Sequence, residues 1–162
     1  MRIQIFITGG TFDKSYDDIH GQLYFNKTHL PEMLKRSRCT LDIDVKTLMM
    51  KDSLEMTVVD VKSVVEACQK SPSQHIVITH GTDTMTQTAA ALAEAEIEKT
   101  IVLTGAMIPY AFGSSSDGFF NLGCALAFVQ SQPSGVYVTM QGRCFPWDAV
   151  EKDKKKGVFR KT

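Results

Sequence analysis

The sequence predicts an α/β fold: a single doubly wound, mostly parallel sheet with helices on both faces and a β-hairpin lid after the first strand. Three observations lead there. Short apolar runs of strand length alternate along the chain with segments of helical periodicity. Several of those runs are apolar throughout, as parallel strands covered on both faces are. The connections show no repeat and no linker, so right-handed βαβ crossovers would fold the 162 residues into one domain over 1–162.

The first strand is Ile3-Gln4-Ile5-Phe6-Ile7, running into Thr8-Gly9-Gly10-Thr11. Two glycines permit a sharp turn at the carboxyl end of the strand, where open α/β sheets bind ligands. Thr11 is therefore a candidate nucleophile. The polar stretch after it, with Gly21 between short alternations, predicts the hairpin lid. Thr28 predicts the start of a short helix reaching about Arg38. Leu41 to Leu48 alternates with period two and reads as the second strand, followed by a connection through Met49-Met50-Lys51.

Thr57 caps a helix over Val58–Lys70, whose Val58, Val61, Val64, Val65 and Cys68 recur at helical spacing before Ser71-Pro72-Ser73 stops it. His75–Thr79 is a third strand, Thr84 to Ile97 an alanine-rich helix, and Thr100–Thr104 a fourth strand. A helix from Phe119 to Ser131 and a fifth strand over Gly135–Met140 follow. The tail from Gln141 carries Trp147 and the cluster Lys152, Lys154, Lys155 and Lys156.

Composition narrows the function. Eighteen basic residues balance eighteen acidic ones, which argues against a broad nucleic-acid or membrane footprint. No run approaches the roughly 18 apolar residues of a membrane span, and the N-terminus lacks the pattern of a secretory leader. A cytoplasmic location with reduced thiols is expected, with Cys68 and Cys124 as small buried hydrophobes in helices. Neither the cysteines nor the histidines have metal-ligand spacing, and Thr8-Gly9-Gly10-Thr11 is no phosphate loop. No metal and no cofactor are expected.

The loops after strands one, two, three and five lie on one edge of such a sheet. They offer Thr11, then Asp52 and Ser53, then Thr82 and Asp83, then Lys152. A threonine needs a base to become a nucleophile, and a lysine oriented by an aspartate is one such base. Helix capping by Thr82 or Asp83 is the bland alternative, and His80 reads as a strand-end hydrogen-bonding residue.

Thr8-Gly9-Gly10-Thr11-Phe12 resembles the first signature of the bacterial-type L-asparaginase family, and His80-Gly81-Thr82-Asp83-Thr84-Met85 resembles the second. Thr104-Gly105-Ala106-Met107-Ile108-Pro109, Ser116-Asp117-Gly118 and Asn121-Leu122 also resemble family sequence. The resemblance implies hydrolysis of L-asparagine to L-aspartate and ammonia through a threonine acyl-enzyme, with lesser glutaminase activity.

By position it implies Thr11 as nucleophile and Thr82 as the partner of the family lysine, matched to Lys152 with Lys154 as the other register. Asp83 would contact the substrate α-ammonium, and Asp52-Ser53 would form the α-carboxylate loop. A lid tyrosine would cover Thr11, with Tyr16 preferred over Tyr24. Most family members are about twice as long, with a second α/β domain. This chain resembles the short members without one, and a homo-oligomer, dimer or tetramer, is expected to help close the pocket. The rival readings are an amidase for a larger amide, a non-catalytic amino-acid sensor and a flavodoxin-like nucleotide binder.

Overall fold

The computed structural model describes residues Met1–Thr162. Six strands form the central sheet: β1 (Arg2–Gly9), β4 (Asp42–Lys51), β5 (His75–Thr79), β6 (Thr100–Thr104), β7 (Gly135–Met140) and β8 (Arg143–Pro146). Their order is β4-β1-β5-β6-β7-β8, parallel except for the β7–β8 pair. The hairpin β2 (Lys14–Asp17) and β3 (Gln22–Phe25) stands apart from the sheet, as does the hairpin β9 (Glu151–Asp153) and β10 (Val158–Arg160). The helices are α1 (Leu30–Arg36), α2 (Val58–Lys70), α3 (Met85–Glu94) and α4 (Gly118–Ser131).

Strand alternation feeds two cores. Ile5, Val77 and Val102 are in register across β1, β5 and β6 and pack toward α1 and α4. Phe6, Ile78, Leu103 and Val138 form the neighbouring row on the opposite face, toward α2 and α3. Each such side chain removed from water stabilises the fold by about 1.5–3 kcal/mol before ordering costs.

β1 lies between β4 and β5, so the strand order reverses beside it. The loop after β1 therefore opens at the topological switch point, the usual ligand crevice of such sheets. Polar bridges tie the strand ends there. The Thr8 hydroxyl donates to Thr79 O (2.9 Å), the Thr104 hydroxyl donates to Thr139 O (2.9 Å), and His80 N–H donates to Thr104 O (2.8 Å).

Several element ends differ from the sequence expectation. β4 continues through Met49 and Met50 to Lys51, because β1 supplies a partner for that length, with a register shift between Ile7 and Gly9. α1 is shorter than expected; Ser37 follows its last turn and Arg38 turns left-handed at φ 53°. α3 stops at Glu94, since Glu96 is left-handed at φ 49°. The tail contains an antiparallel edge strand and the β9–β10 hairpin, which the lysine cluster did not announce. Cys68 is buried, and burial pushes its thiol up to about 12. Cys124 is only half-buried. No helix is long and apolar enough to cross a membrane.

Candidate active site

Three loops meet at the carboxyl edge of the sheet because small residues let their backbones touch. Gly9 (φ 100°) and Gly10 (φ 73°) adopt left-handed conformations that few other residues tolerate. A Cβ on Gly10 would lie 2.4 Å from Gly81 N, and one on Gly81 would lie 2.5 Å from the Ser53 side chain. The turn after β1 thus stacks on the turn after β5, which stacks on the turn after β4. The Gly10 N–H donates to Lys51 O at 2.8 Å and closes the set. Phe12 is fully buried and anchors the far side of the turn, leaving Thr11 partly exposed between two fixed neighbours.

Lys152 enters from β9. Its ammonium donates to the Thr82 hydroxyl at 2.7 Å and to Asp83 Oδ1 at 2.8 Å. The Lys152 side chain is 11% exposed and Thr82 is buried, so the lysine end of this ion pair is shielded from solvent, while the Asp83 side chain is 36% exposed. Lys154, Lys155 and Lys156 are exposed around the hairpin turn, so of the two registers left open by the sequence it is Lys152 that reaches the threonine–aspartate pair. Neither Thr82 nor Asp83 caps α3; both accept from the lysine instead. The hydroxyl of Thr84, at the N-cap position, donates to Ser53 O at 3.0 Å and ties the second loop to the third.

Asp52 and Ser53 reach the same edge. Ser53 is buried against Gly81. Asp52 accepts from the Lys14 ammonium and from Leu54 N–H (3.0 Å), and the Lys14 hydrogen bond holds its carboxyl below the usual range. Lys14 was not singled out in the sequence; its partner lies 38 residues away, and no local pattern marks the pair.

His80 is fully buried, with Nδ1 2.8 Å from Gly81 O and Nε2 2.9 Å from the Thr88 hydroxyl. Burial pushes its pKa down, so the ring is neutral and pins the motif to α3, as a strand-end hydrogen-bonding residue does. Behind the third loop, Asp117 accepts from Met107 and Ile108 N–H groups. Asn121 donates to Gly105 O (2.9 Å) and to Asp117 (2.9 Å).

The lid tyrosines are not joined to Thr11 by a hydrogen bond. Tyr16 is 54% and Tyr24 is 41% exposed. The β2–β3 register pairs Lys14 with Phe25 and Tyr16 with Leu23, which places Lys14 and Tyr16 on one face of the hairpin and Tyr24 on the other. Tyr16 packs edge-on against Phe112 at 6.3 Å. Asp13, unmarked in the sequence, closes the base of this hairpin. Its buried carboxylate accepts from the Thr28 hydroxyl (3.0 Å) and from His29 N–H (2.9 Å), and burial raises its pKa.

Comparison with known proteins agrees with this architecture. The family model described as "Asparaginase, N-terminal" matches residues 2–158. The chain is 35% identical over 151 residues to a glutamyl-tRNA(Gln) amidotransferase subunit of Methanococcus vannielii, covering 86% of this chain and 34% of that protein. It is 32% identical over 140 residues to L-asparaginase 1 of Escherichia coli, covering 81% and 41%. Among solved structures, the thermostable L-asparaginase from Thermococcus kodakarensis superposes with a TM-score of 0.84 at 25% identity, over 99% of this chain and 51% of that one. A probable cytoplasmic L-asparaginase from Campylobacter jejuni superposes at 0.78 and 29% identity, over 93% and 49%. The chain thus spans about a third to a half of the proteins it matches. With nearly its whole length matched, the chain belongs to the asparaginase N-terminal family.

Proposed function

We propose that this chain hydrolyses the side-chain amide of L-asparagine to L-aspartate and ammonia, with lesser action on L-glutamine. The observation that carries the reading is the hydrogen-bonded Lys152–Thr82–Asp83 cluster on the same stack of turns as Thr11.

In this reading the Thr11 oxygen attacks the amide carbon and its proton passes to the leaving nitrogen. Ammonia departs, an ester to Thr11 remains, and water hydrolyses that ester to free the threonine and the product carboxylate. Thr82, hydrogen-bonded to Lys152, relays the proton. Asp83, more exposed than the lysine, takes the α-ammonium, and Ser53 takes the α-carboxylate. Asp52 belongs to that α-carboxylate loop and holds Lys14 at the root of the lid. Tyr16 shares the face of Lys14 and covers Thr11 when the lid closes; Tyr24 is the alternative. No metal or cofactor takes part. A cytoplasmic location and a homo-oligomer, dimer or tetramer, complete the reading.

An amidase for a larger amide is the second reading, favoured by the open rim around the exposed Tyr16 and Phe112 and by the amidotransferase component among the relatives. A non-catalytic amino-acid sensor would keep Ser53 and Asp83 but has no use for Thr11.

Ammonia release from asparagine, glutamine and small amides by purified protein separates the readings. Thr11→Ala should abolish release while leaving the circular dichroism spectrum unchanged; turnover like the wild type in that variant sinks the acyl-enzyme mechanism. Lys152→Met should lose roughly 10²–10⁴ in rate, the scale of one acid–base group, whereas Lys154→Met should retain activity.

A further inference from the structure

Lys152 sits on a hairpin that cannot hold itself. β9 and β10 have three residues each, pair only with each other and stand apart from the central sheet. A lone two-stranded ribbon is marginal in water. The guanidinium of Arg160 clasps Glu151 (2.7 Å) and Asp153 (3.6 Å), but Arg160 and Glu151 are about half exposed, where such pairs contribute little. Some other contact must fix the hairpin against the body.

Buried Phe159 makes one such contact, and Gln141 makes a polar one beside it. Gln141 follows β7 in a left-handed conformation at φ 55°. Its side-chain Nε2 donates to Gly157 O (3.0 Å), and its Oε1 accepts from Phe159 N–H (2.9 Å). Gly157 and Phe159 flank Val158, so one amide supplies the donor and acceptor that a third strand would offer along the outer edge of β10. Phe159 is buried in the core and pairs directly with Lys152 across the hairpin. Gln141 is itself held: its N–H donates to Asn121 Oδ1 (3.0 Å), and Asn121 is fixed by Gly105 and Asp117. An unbroken hydrogen-bonded path runs from the loop after β6, through Asn121 and Gln141, to the strand opposite Lys152.

We propose that Gln141 is a positioning residue for Lys152, setting the lysine's reach to Thr82 and Asp83 without touching substrate. The kinetic part of this proposal rests on the asparaginase reading; the labelling part does not.

The test compares wild type with Gln141→Leu, which keeps the bulk and loses both hydrogen bonds, and with Gln141→Glu, which keeps the acceptor for Phe159 N–H. Reductive methylation followed by peptide mass analysis reads the exposure of Lys152, with Lys154 as internal standard. Two hydrogen bonds of ordinary net strength correspond to roughly ten- to hundredfold in the population with the hairpin displaced. Lys152 should therefore label faster in Gln141→Leu by about that factor, and faster than wild type in Gln141→Glu as well, where a carboxylate oxygen would face Gly157 O in place of the donor. In amide hydrolysis, kcat should drop in both variants by more than any change in KM, since Ser53 sits on a turn that Gln141 does not bond.

Lys152 labelling equal to wild type in a folded Gln141→Leu overturns the proposal. If that variant does not fold, labelling of Gln141→Glu equal to wild type overturns it. Absence of ammonia release in the wild type would remove the catalytic reading and leave the labelling result to decide the positioning role.

Discussion

Gly10 and Gly81 show how little room separates the backbones of the site. Their contact is between main-chain atoms, so no side chain can swing aside to admit a methyl group. Gly10→Ala would combine this clash with a left-handed φ. It should destabilise the fold by about 3 kcal/mol or more, an overpacking cost plus a backbone cost. The urea midpoint checks this; a midpoint unchanged from wild type would mean the turns can part without loss. Both glycines stood out in the sequence through their motifs. Asp13, Lys14 and Gln141 did not, because each acts on partners that only folding brings near: Asp13 on Thr28 and His29 across the hairpin, Lys14 on Asp52, Gln141 on Gly157 and Phe159.

The helix α2 was legible end to end, and the reason lies in its caps. Thr57 and Asp60 form a reciprocal capping box, with Asp60 N–H donating to the Thr57 hydroxyl (3.3 Å) and Thr57 N–H donating to Asp60 (2.8 Å). Lys51 also donates to Asp60 at 2.8 Å, and this hydrogen bond leads the causes that lower the Asp60 pKa from 3.8 to about 2. A depressed carboxylate contributes stability that is fully present above 3.8 and is lost as pH falls through about 2. Thermal unfolding of wild type between about pH 5 and about pH 2 should show a fall in midpoint that is smaller in Asp60→Asn. Parallel curves for the two proteins would refute the assignment. Thr57→Ala should cost about 1 kcal/mol at neutral pH through the lost cap. The hairpin β9–β10 is the opposite case. Three-residue strands carry no readable period, and a run of lysines reads as solvated surface whether or not one of them turns inward.

In the whole molecule, the polar rim lies beside apolar groups left in water. Leu54, Val58 and Val59, which follow Ser53 closely in the chain, are each about 70% exposed. Phe112, Phe119 and Phe120 are also exposed. Patches of this kind mark association surfaces. The proposed homo-oligomer should appear as a dimer or tetramer mass in light scattering. The double variant Val58→Glu, Val59→Glu should shift it toward a single chain; a single-chain mass for wild type at all concentrations would exclude the oligomer.

The chain alone determined where its parallel strands and main helices lie and which loops carry chemistry. Apolar runs bounded by turn residues made His75–Thr79, Thr100–Thr104 and Gly135–Met140 readable to the residue, and the two threonine motifs followed strands as their spacing implied. Tertiary structure decided which groups meet. It brought Lys152 rather than Lys154 to the site, made Thr82 and Asp83 its acceptors rather than helix caps, and engaged Asp52 with Lys14. It also made Gln141 the missing edge of the lysine hairpin. The physical reason is range: strand periodicity and helix capping act over a few residues, whereas these hydrogen bonds join groups 16 to 70 positions apart.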